Sequence, residues 1–363
     1  MVILGVTLAL AAILIDLVAL LCWQKPHATV ADHGNVPSVS VLVAIRDEAH
    51  NVKGLIKSLQ QLDYPKHKLE FLIGEDRSKD HTLSLLEQET RHDHRFRIIR
   101  IQNDLPGLFA KGNVISQLID QCTTPYYFIT DADVRVSQSW ISGLLSMLGP
   151  QDGAVGGTTV VNTVNLWTGL QNIDWLLAQG LLLIASKFLG CQAISGTNMM
   201  ITQQACNAIG GYQTIPYSLT EDIGFLTAIK RVGFTATNAL NKQSLATIEG
   251  LPDWRSLVAQ RARWAYGVFR IHPLLVSLLV VRSLFLISLL MIAGWQPIWA
   301  IVLLFVKFMI DWSFVAKVAT TLDQKVKLGH FVCFEFYWAS IAISGLFIHL
   351  FSTNKSWKGR TYK

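Results

Sequence analysis

The sequence predicts an α/β fold: a mainly parallel central sheet, flanked by an N-terminal transmembrane helix and by C-terminal transmembrane or interfacial helices. Three observations carry this. Apolar residues crowd the two ends of the chain, a strand-helix alternation repeats four times in between, and the charged side chains of that middle region gather just after its strands. Of the 363 residues, 51% are hydrophobic and 15% charged, against about 25% charged in soluble domains. That excludes a uniformly soluble globule and a disordered chain. The length allows about two folding units at ~150 residues each. The net charge of +6 is mild, and beside so much apolar sequence it fits a membrane surface better than nucleic acid. The cysteines (Cys22, Cys122, Cys191, Cys206, Cys333) are scattered without a C-x-x-C pair, so neither a disulfide framework nor a zinc site is expected.

Val2 to Cys22 carries a single charge, Asp16. It is long enough to cross a bilayer core, which takes ~20 apolar residues. It lacks the basic start and small-x-small site of a cleaved signal peptide, so an uncleaved anchor over residues 1–25 is expected. Lys25 and His27 follow it, so the next domain is expected in the cytoplasm; a bacterial inner membrane is the expected location. That domain is expected over residues 36–267. Ser38 to Ile45 (SVSVLVAI) has the density of a buried parallel strand. Val52, Leu55, Ile56 and Leu59 then give helical spacing over Asn51 to Leu62, ended by Tyr64-Pro65. Leu69 to Gly74 is the second strand. Ser78 is a candidate cap for the helix after Asp80. Phe96 to Ile101 is the third strand, Asn113 to Ile119 a helix, Tyr126 to Thr130 the fourth strand, and Trp140 to Leu148 a helix.

Such repetition implies right-handed crossovers and a parallel sheet. Ligands of these sheets bind beyond the carboxyl ends of the strands, where Arg46, Asp47, Glu48, Glu75, Asp76, Asp131 and Asp133 stand. No Gly-x-Gly-x-x-Gly follows the first strand and no P-loop is found, which disfavours a dinucleotide-binding domain or a P-loop NTPase. Residues 268–352 are apolar again, in runs Leu274 to Ala293, Ile298 to Val318 and Phe331 to Phe351, which carry Arg282, Lys307, Asp311 and Glu335. Charges at such depth are functional candidates; pairing between helices or snorkelling is the plainer reading. The basic tail, residues 353–363, holds Lys355, Lys358, Arg360 and Lys363. Three spans in all would leave it cytoplasmic or interfacial, in contact with lipid head groups, whereas four would put it outside.

Asp131-Ala132-Asp133 sets two carboxylates at a strand end, suited to Mg²⁺ or Mn²⁺ beside phosphate oxygens. A solvated turn can look the same, but the preceding apolar run YYFIT favours the metal. Thr220-Glu221-Asp222 opens a helix expected over Ile223 to Arg231. Thr220 suits an N-cap and the carboxylates suit the helix dipole; alternatively, Asp222 is a general base. In Gln260-Arg-Ala-Arg-Trp264, Gln260 shares a helix face with Arg263 and Trp264. Arg263 could pair with phosphate and Trp264 could stack on a sugar ring; a basic aromatic helix beside the membrane is the alternative. Lys111-Gly112-Asn113 opens a helix suited to an anion. Gly156-Gly157 and Ser195-Gly196-Thr197-Asn198 permit close backbone approach. Arg91-His-Asp-His-Arg95 reads as a solvated turn rather than a metal cluster.

Taken together these residues resemble the membrane-bound glycosyltransferases of family 2, whose catalytic domain has the GT-A fold. The resemblance covers about Ser38 to Gly267 through an ordered set of motifs: VAIRDE (43–48), YPKHKLE (64–70), EDRSKDHT (75–82), KGN (111–113), TDAD (130–133), GG (156–157), SGTNMM (195–200), GGY (210–212), TED (220–222) and QRARW (260–264). Ceramide glucosyltransferase-like enzymes and processive polysaccharide synthases look like this. The resemblance implies an inverting, metal-dependent transfer of a sugar from a nucleotide-sugar, by default a UDP-sugar, to a lipid or glycan acceptor. Ala44, Arg46, Glu48, Asp76, Lys111 and Asp131 would line the nucleotide-sugar pocket. Asp133, with Asp131, would meet a Mg²⁺ or Mn²⁺ ion. Asp222 would be the catalytic base, with Glu221 beside it. Gln260, Arg263, Trp264, Gly196 and Thr197 would hold the diphosphate and the acceptor. Glu75 departs from the family's usual Asp, which weakens that contact with the base. Asp47 stands where Asn is common. A processive synthase and an inactive scaffold that binds nucleotide-sugar are the alternatives. Few helices for a polymer channel favour single transfer to a lipid, and the retained Asp133, Asp222 and Arg263 disfavour the scaffold.

Overall fold

The computed structural model of the chain describes residues 1–26, 36–190, 194–215, 221–268, 272–351, 355–357 and 360–362. His27, Cys191, Thr220, Lys358 and Lys363 lie outside the described residues. Helix α1 (Val2–Cys22) precedes strand β1 (Val39–Ile45), helix α2 (Ala49–Gln60), β2 (Leu69–Glu75), α3 (Thr82–Thr90), β3 (Phe96–Arg100), α4 (Ala110–Ile119) and β4 (Tyr126–Asp131). Within one or two residues these are the expected βα units, except that α4 starts three residues earlier. Ser78 does not cap α3. Its N–H instead donates to the Glu75 carboxylate at 2.6 Å and its hydroxyl accepts from the Asp47 N–H at 3.1 Å.

β1 is an interior strand, between β2 and β4, and all seven of its residues are apolar or small and nearly all are buried. Its odd-numbered residues Val39, Val41, Val43 and Ile45 pack with Val52, Leu55, Ile56 and Leu59 of α2. Leu42 faces the opposite layer with Leu72, Val114 and Leu118. Each such side chain, fully removed from water, contributes about 1.5–3 kcal/mol. α4 comes so close to β2 that a Cβ on Gly74 would lie 2.3 Å from Val114. The register pairs Ile45 with Glu75 and Ala44 with Asp131, all in parallel, so the residues following β1, β2 and β4 emerge along one edge.

Beyond β4 the chain departs from simple alternation. β5 (Val134–Val136), α5 (Trp140–Leu145), β6 (Asp152–Gly156) and β7 (Thr159–Val161) lead into α6 (Leu166–Leu189), an apolar helix of 24 residues that the sequence reading did not foresee. β8 (Asn198–Thr202), α7 (Gln203–Ala208), α8 (Glu221–Arg231), β9 (Thr235–Asn238), β10 (Ala246–Ile248) and α9 (Trp254–Val268) follow. The seven-stranded sheet has the order β3-β2-β1-β4-β8-β6-β9. β8 runs antiparallel to both β4 and β6, so the sheet is mixed, though mostly parallel. β5, β10 and β7 form a small second sheet.

The C-terminal third comprises α10 (Pro273–Ser283), α11 (Phe285–Ala293), α12 (Pro297–Thr321), α13 (Leu328–Val332), α14 (Phe334–Phe351), and a short β11–β12 ribbon at Lys355–Trp357 and Arg360–Tyr362. Among the described residues, four helical stretches are long and apolar enough to cross a membrane: α1, α6, α10 with α11, and α12. α1, α10, α12 and α14 meet around a buried group of charges. Arg282 lies 3.0 Å from Asp16 and 2.9 Å from Asp311. Lys307 lies 2.8 Å from Asp16, 2.5 Å from Asp311 and 2.9 Å from Glu335. The charges inside the apolar runs are thus paired between helices. The four described cysteines, Cys22, Cys122, Cys206 and Cys333, are all free.

Candidate active site at the carboxyl edge of the sheet

The loops after β1 and β2 build one part of the carboxyl edge. After β1 the chain turns at Asp47, whose φ of 51° is in the left-handed region, uncommon for a non-glycine residue. The turn is pinned from the neighbouring loop: the Lys79 N–H donates to Asp47 Oδ1 at 2.7 Å. After β2 the backbone turns again at Arg77 (φ 56°). Arg77 pairs with Asp76 at 2.9 Å and with Asp104 at 2.6 Å. Arg46 donates to the Asp76 carbonyl at 3.1 Å. The Glu48 N–H donates to Thr82 Oγ1 at 2.8 Å, and Glu48 Oε2 accepts from Asn51 at 2.7 Å. Arg46 and Asp76 are thus linked across the two loops, with Asp76 buried; Glu48 stands two residues from Arg46, and Ala44 lies in the adjoining end of β1. Glu75 is committed to the turn through Ser78.

The second group lies beyond β4. Asp131 ends that strand and Asp133 is exposed two residues later. Lys111, in the first turn of α4, reaches across to Asp131 at 2.6 Å and donates to the Gly196 carbonyl at 2.7 Å. The Gly196 N–H donates to Asp222 Oδ2 at 2.9 Å, and the Ile223 N–H to Asp222 Oδ1 at 2.9 Å. A Cβ on Gly196 would stand 3.3 Å from Asp222 Oδ2 and 3.5 Å from Lys111 Nζ, so glycine permits this close approach. The Thr197 carbonyl accepts from Thr130 Oγ1 at 3.0 Å, which fixes the 195–198 turn to β4.

Glu221 and Asp222 sit in the first turn of α8. Loss of water pushes the Glu221 carboxyl up to about 7, with Lys111 opposing and Asp222 adding to the rise. Burial likewise raises Asp222 above the ordinary carboxylate range, against the Gly196 and Ile223 N–H groups that favour its charged form. Burial alone would lower the Lys111 ammonium; Asp131 and Glu221 together outweigh it and hold it above its usual value. A carboxylate kept short of water, anchored by two N–H groups and poised upward in pKa is suited to take a proton.

α9 bears Gln260, Arg263 and Trp264. Gln260 Oε1 accepts from Arg261. Trp264 packs edge-on against Trp175 with ring centroids 4.7 Å apart, and the Arg261 guanidinium lies 4.1 Å over its ring. One face of Trp264 is thus covered by protein, which leaves less of it for the sugar stacking expected from sequence. Arg263 is partly exposed on the same helix. Lys111, Asp131, Gly196 and Asp222 form one connected group; Arg46 and Asp76 form a linked pair along the same sheet edge, with Glu48 in the loop after β1. Sequence reasoning gave no role to Arg261 or Asp174, and read Asn198 only as part of the 195–198 turn. Asn198 is buried and receives the Trp140 indole N–H at 2.7 Å while donating to the Thr158 and Ser244 carbonyls. No spacing rule marks these residues, since their partners are remote in the chain.

A divalent cation suits the donor set only in part. Among the described residues no three His, Cys, Asp or Glu side chains gather as a metal cage. Two carboxylates, Asp131 and Asp133, stand at the strand end, one of them already paired with Lys111. Mg²⁺ and Mn²⁺ bind this way, through one or two carboxylates with water and substrate phosphates, so the residues fit an ion that arrives with its nucleotide.

A mixed sheet with acidic strand ends on one edge is the architecture of GT-A glycosyltransferases. A mannosyltransferase from Pyrobaculum calidifontis, solved with GDP-Man and Mn²⁺, superposes with a TM-score of 0.62 at 17% identity, over 97% of this chain and 98% of that one. The sequence model of glycosyl transferase family 21 matches residues 4–363, and the chain belongs to that family. The similarity to GT-A membrane glycosyltransferases read from the motifs thus holds, with family 21 as the matching family. A β-monoglucosyldiacylglycerol synthase from Synechocystis sp. is 24% identical over 254 residues, covering 68% of this chain and 51% of that protein. A poly-β-1,6-N-acetyl-D-glucosamine synthase from Staphylococcus epidermidis is 26% identical over 247 residues, covering 65% and 56%. The chain spans about half the length of the curated relatives it matches.

Proposed function

We propose that the protein transfers a sugar from a nucleotide-sugar, by family default a UDP-sugar, to a lipid or lipid-linked acceptor at the membrane surface, with inversion at the anomeric carbon. The observation that carries this is the position of Asp222. It is anchored by Gly196, raised in pKa, and set beside Lys111 and Asp131 at the carboxyl edge of the sheet. Arg46, Glu48 and Asp76, with Ala44, take the base and ribose. Asp222 removes the proton of the acceptor hydroxyl; the oxygen attacks the anomeric carbon; the bond to phosphate breaks and the nucleoside diphosphate leaves with its electron pair. Glu221 adjusts the charge around that base. Arg263 and Gln260 steady the departing diphosphate, while Gly196, Thr197 and Trp264 border the acceptor. A Mg²⁺ or Mn²⁺ ion held by Asp133 and Asp131 would supply further neutralisation of the leaving group. General-base assistance of this kind is worth ~10²–10⁴-fold. The glucosyldiacylglycerol synthase relative supports a lipid acceptor.

Four parts follow from this reading: an anchor (1–25), a cytoplasmic catalytic domain (36–267), membrane and interface helices (268–352) and a basic tail (353–363), in a bacterial inner membrane. The polymer synthase relative favours a second reading, processive synthesis. Detergent-purified protein, incubated with UDP- and GDP-sugars, membrane lipid and Mn²⁺ or Mg²⁺, distinguishes these. Metal-dependent release of nucleoside diphosphate with a monoglycosylated lipid supports the proposal, and polymer supports the second reading. Absence of turnover with intact nucleotide binding refutes both.

A further inference from the structure

Asp174 is a carboxylate in α6 that shares its helix face with Leu170, Gln171 and Leu177, and it is 8% exposed. Burying a carboxylate among leucines is costly unless it is paired. Its partner is Arg261 of α9, whose Nε and Nη2 both approach Asp174 Oδ2, at 2.9 and 2.7 Å. Arg261 is itself only 9% exposed at its side chain. It donates its remaining fork to Gln260 and lies over the ring of Trp264. Trp175, the next residue of α6, meets that same ring nearly at right angles. The Tyr337 hydroxyl of α14 stands beside both members of the ion pair. Two consecutive residues of α6 thus grip two residues of α9 that are one turn apart.

We propose that Asp174 is a positioning residue: through Arg261 it sets the rotation of α9 about its own axis, and so aims Arg263 at the diphosphate. This rests on the role given to Arg263 above. Residues two apart on a helix are about 200° apart around it, so drawing Arg261 inward onto α6 turns Arg263 to the other side of α9. Side-chain tips lie ~5–6 Å from the helix axis, and a rotation of about 20° moves them by about 2 Å. Misplacement by ~1 Å at a reacting centre can cost ~10²-fold in rate. A lone charge truncation is a poor test, because Asp174→Asn leaves Arg261 buried and unpaired. The deciding variant is therefore Asp174→Leu with Arg261→Met, which removes both charges and keeps volume. Asp174→Glu serves as the conservative rescue.

Three readouts are taken on the full-length protein in detergent: UDP affinity, kcat and KM for transfer, and amide hydrogen exchange across residues 254–268 with β1 and β4 as internal reference. The double variant is expected to weaken UDP binding as well, because Arg263 and Gln260 are the groups given to the diphosphate. It should lose about 10–100-fold in kcat and exchange faster in α9 but not in β1 or β4. Asp174→Glu should recover part of kcat. A double variant with wild-type kcat overturns the proposal, as does one with unchanged exchange in α9. If the wild-type protein shows no transfer at all, the functional reading fails by itself, and the exchange measurement still decides whether Asp174 holds α9.

Discussion

Lys111→Met isolates the electrostatics of the proposed base. Lys111 Nζ and Asp222 Oδ2 each lie near the point where a Gly196 side chain would begin, at 3.5 and 3.3 Å, which places them within ~7 Å of one another. Two unit charges ~7 Å apart interact by about 2 kcal/mol at the effective dielectric of about 20 that suits such sites. That corresponds to between one and two pH units. Asp222 is already held above the ordinary carboxylate range by burial, and removing the ammonium disfavours its charged form further. The base must be ionised to accept a proton, so the rate falls as pH drops through its pKa. The acid limb of kcat/KM should therefore move to higher pH by about one to two units in Lys111→Met, with metal and acceptor held saturating. A variant whose activity falls uniformly, with the acid limb unmoved, would refute the idea that Lys111 sustains the ionised state of Asp222.

Asp222→Asn should keep nucleotide binding and lose ~10²–10⁴-fold in kcat, measured as nucleotide release coupled to glycolipid formation. Lys307→Met strips one cation from three buried carboxylates and should destabilise the helix bundle by about 3–5 kcal/mol, whereas pairing it with Asp311→Leu should restore most of that loss; unfolding in detergent compares the two. Gly157→Ala would bring a Cβ to 2.3 Å from Asn198 Oδ1. Disturbing the hydrogen bonds of that side chain should cost about 1–3 kcal/mol, read as a lowered unfolding midpoint.

The four βα units were legible because local periodicity writes them. The spacing of Val52, Leu55, Ile56 and Leu59 is a property of a dozen residues, and the density of β1 is a property of seven. The direction of β8 is not local: its sequence, NMMIT, is compatible with either orientation, and the chain's return through the long α6 sets it antiparallel to β4. The motifs located Asp131, Lys111, Gly196 and Asp222, but not the fact that one lysine joins the first three elements while a glycine N–H completes the link to Asp222. Arg261 was hidden for a related reason. It stands inside a recognised motif as a position of no stated role, and its meaning appears only when Asp174, 87 positions away, comes into contact. Charges inside apolar runs were legible as anomalies, and pairing between helices was the plainer reading of them; which acid meets which base required the fold.

The latch of charges in the helix bundle has a consequence for how the protein is made. Asp16 and Arg282 meet across 266 positions of chain. At a synthesis rate of ~5–20 residues per second, the acid emerges on the order of tens of seconds before its first basic partner. Through that interval α1 carries a carboxyl that, ionised near a helix centre, would add about 2.5–3.5 kcal/mol to insertion. The run of apolar residues around Asp16 offsets that, and its place six residues, or ~9 Å, from the end of α1 keeps it near the watery boundary. Only when α10 and α12 arrive can α1 withdraw the charge into the bundle. A nascent chain halted before α10 would therefore present α1 with an unanswered acid, a chemical mark by which unfinished copies differ from finished ones.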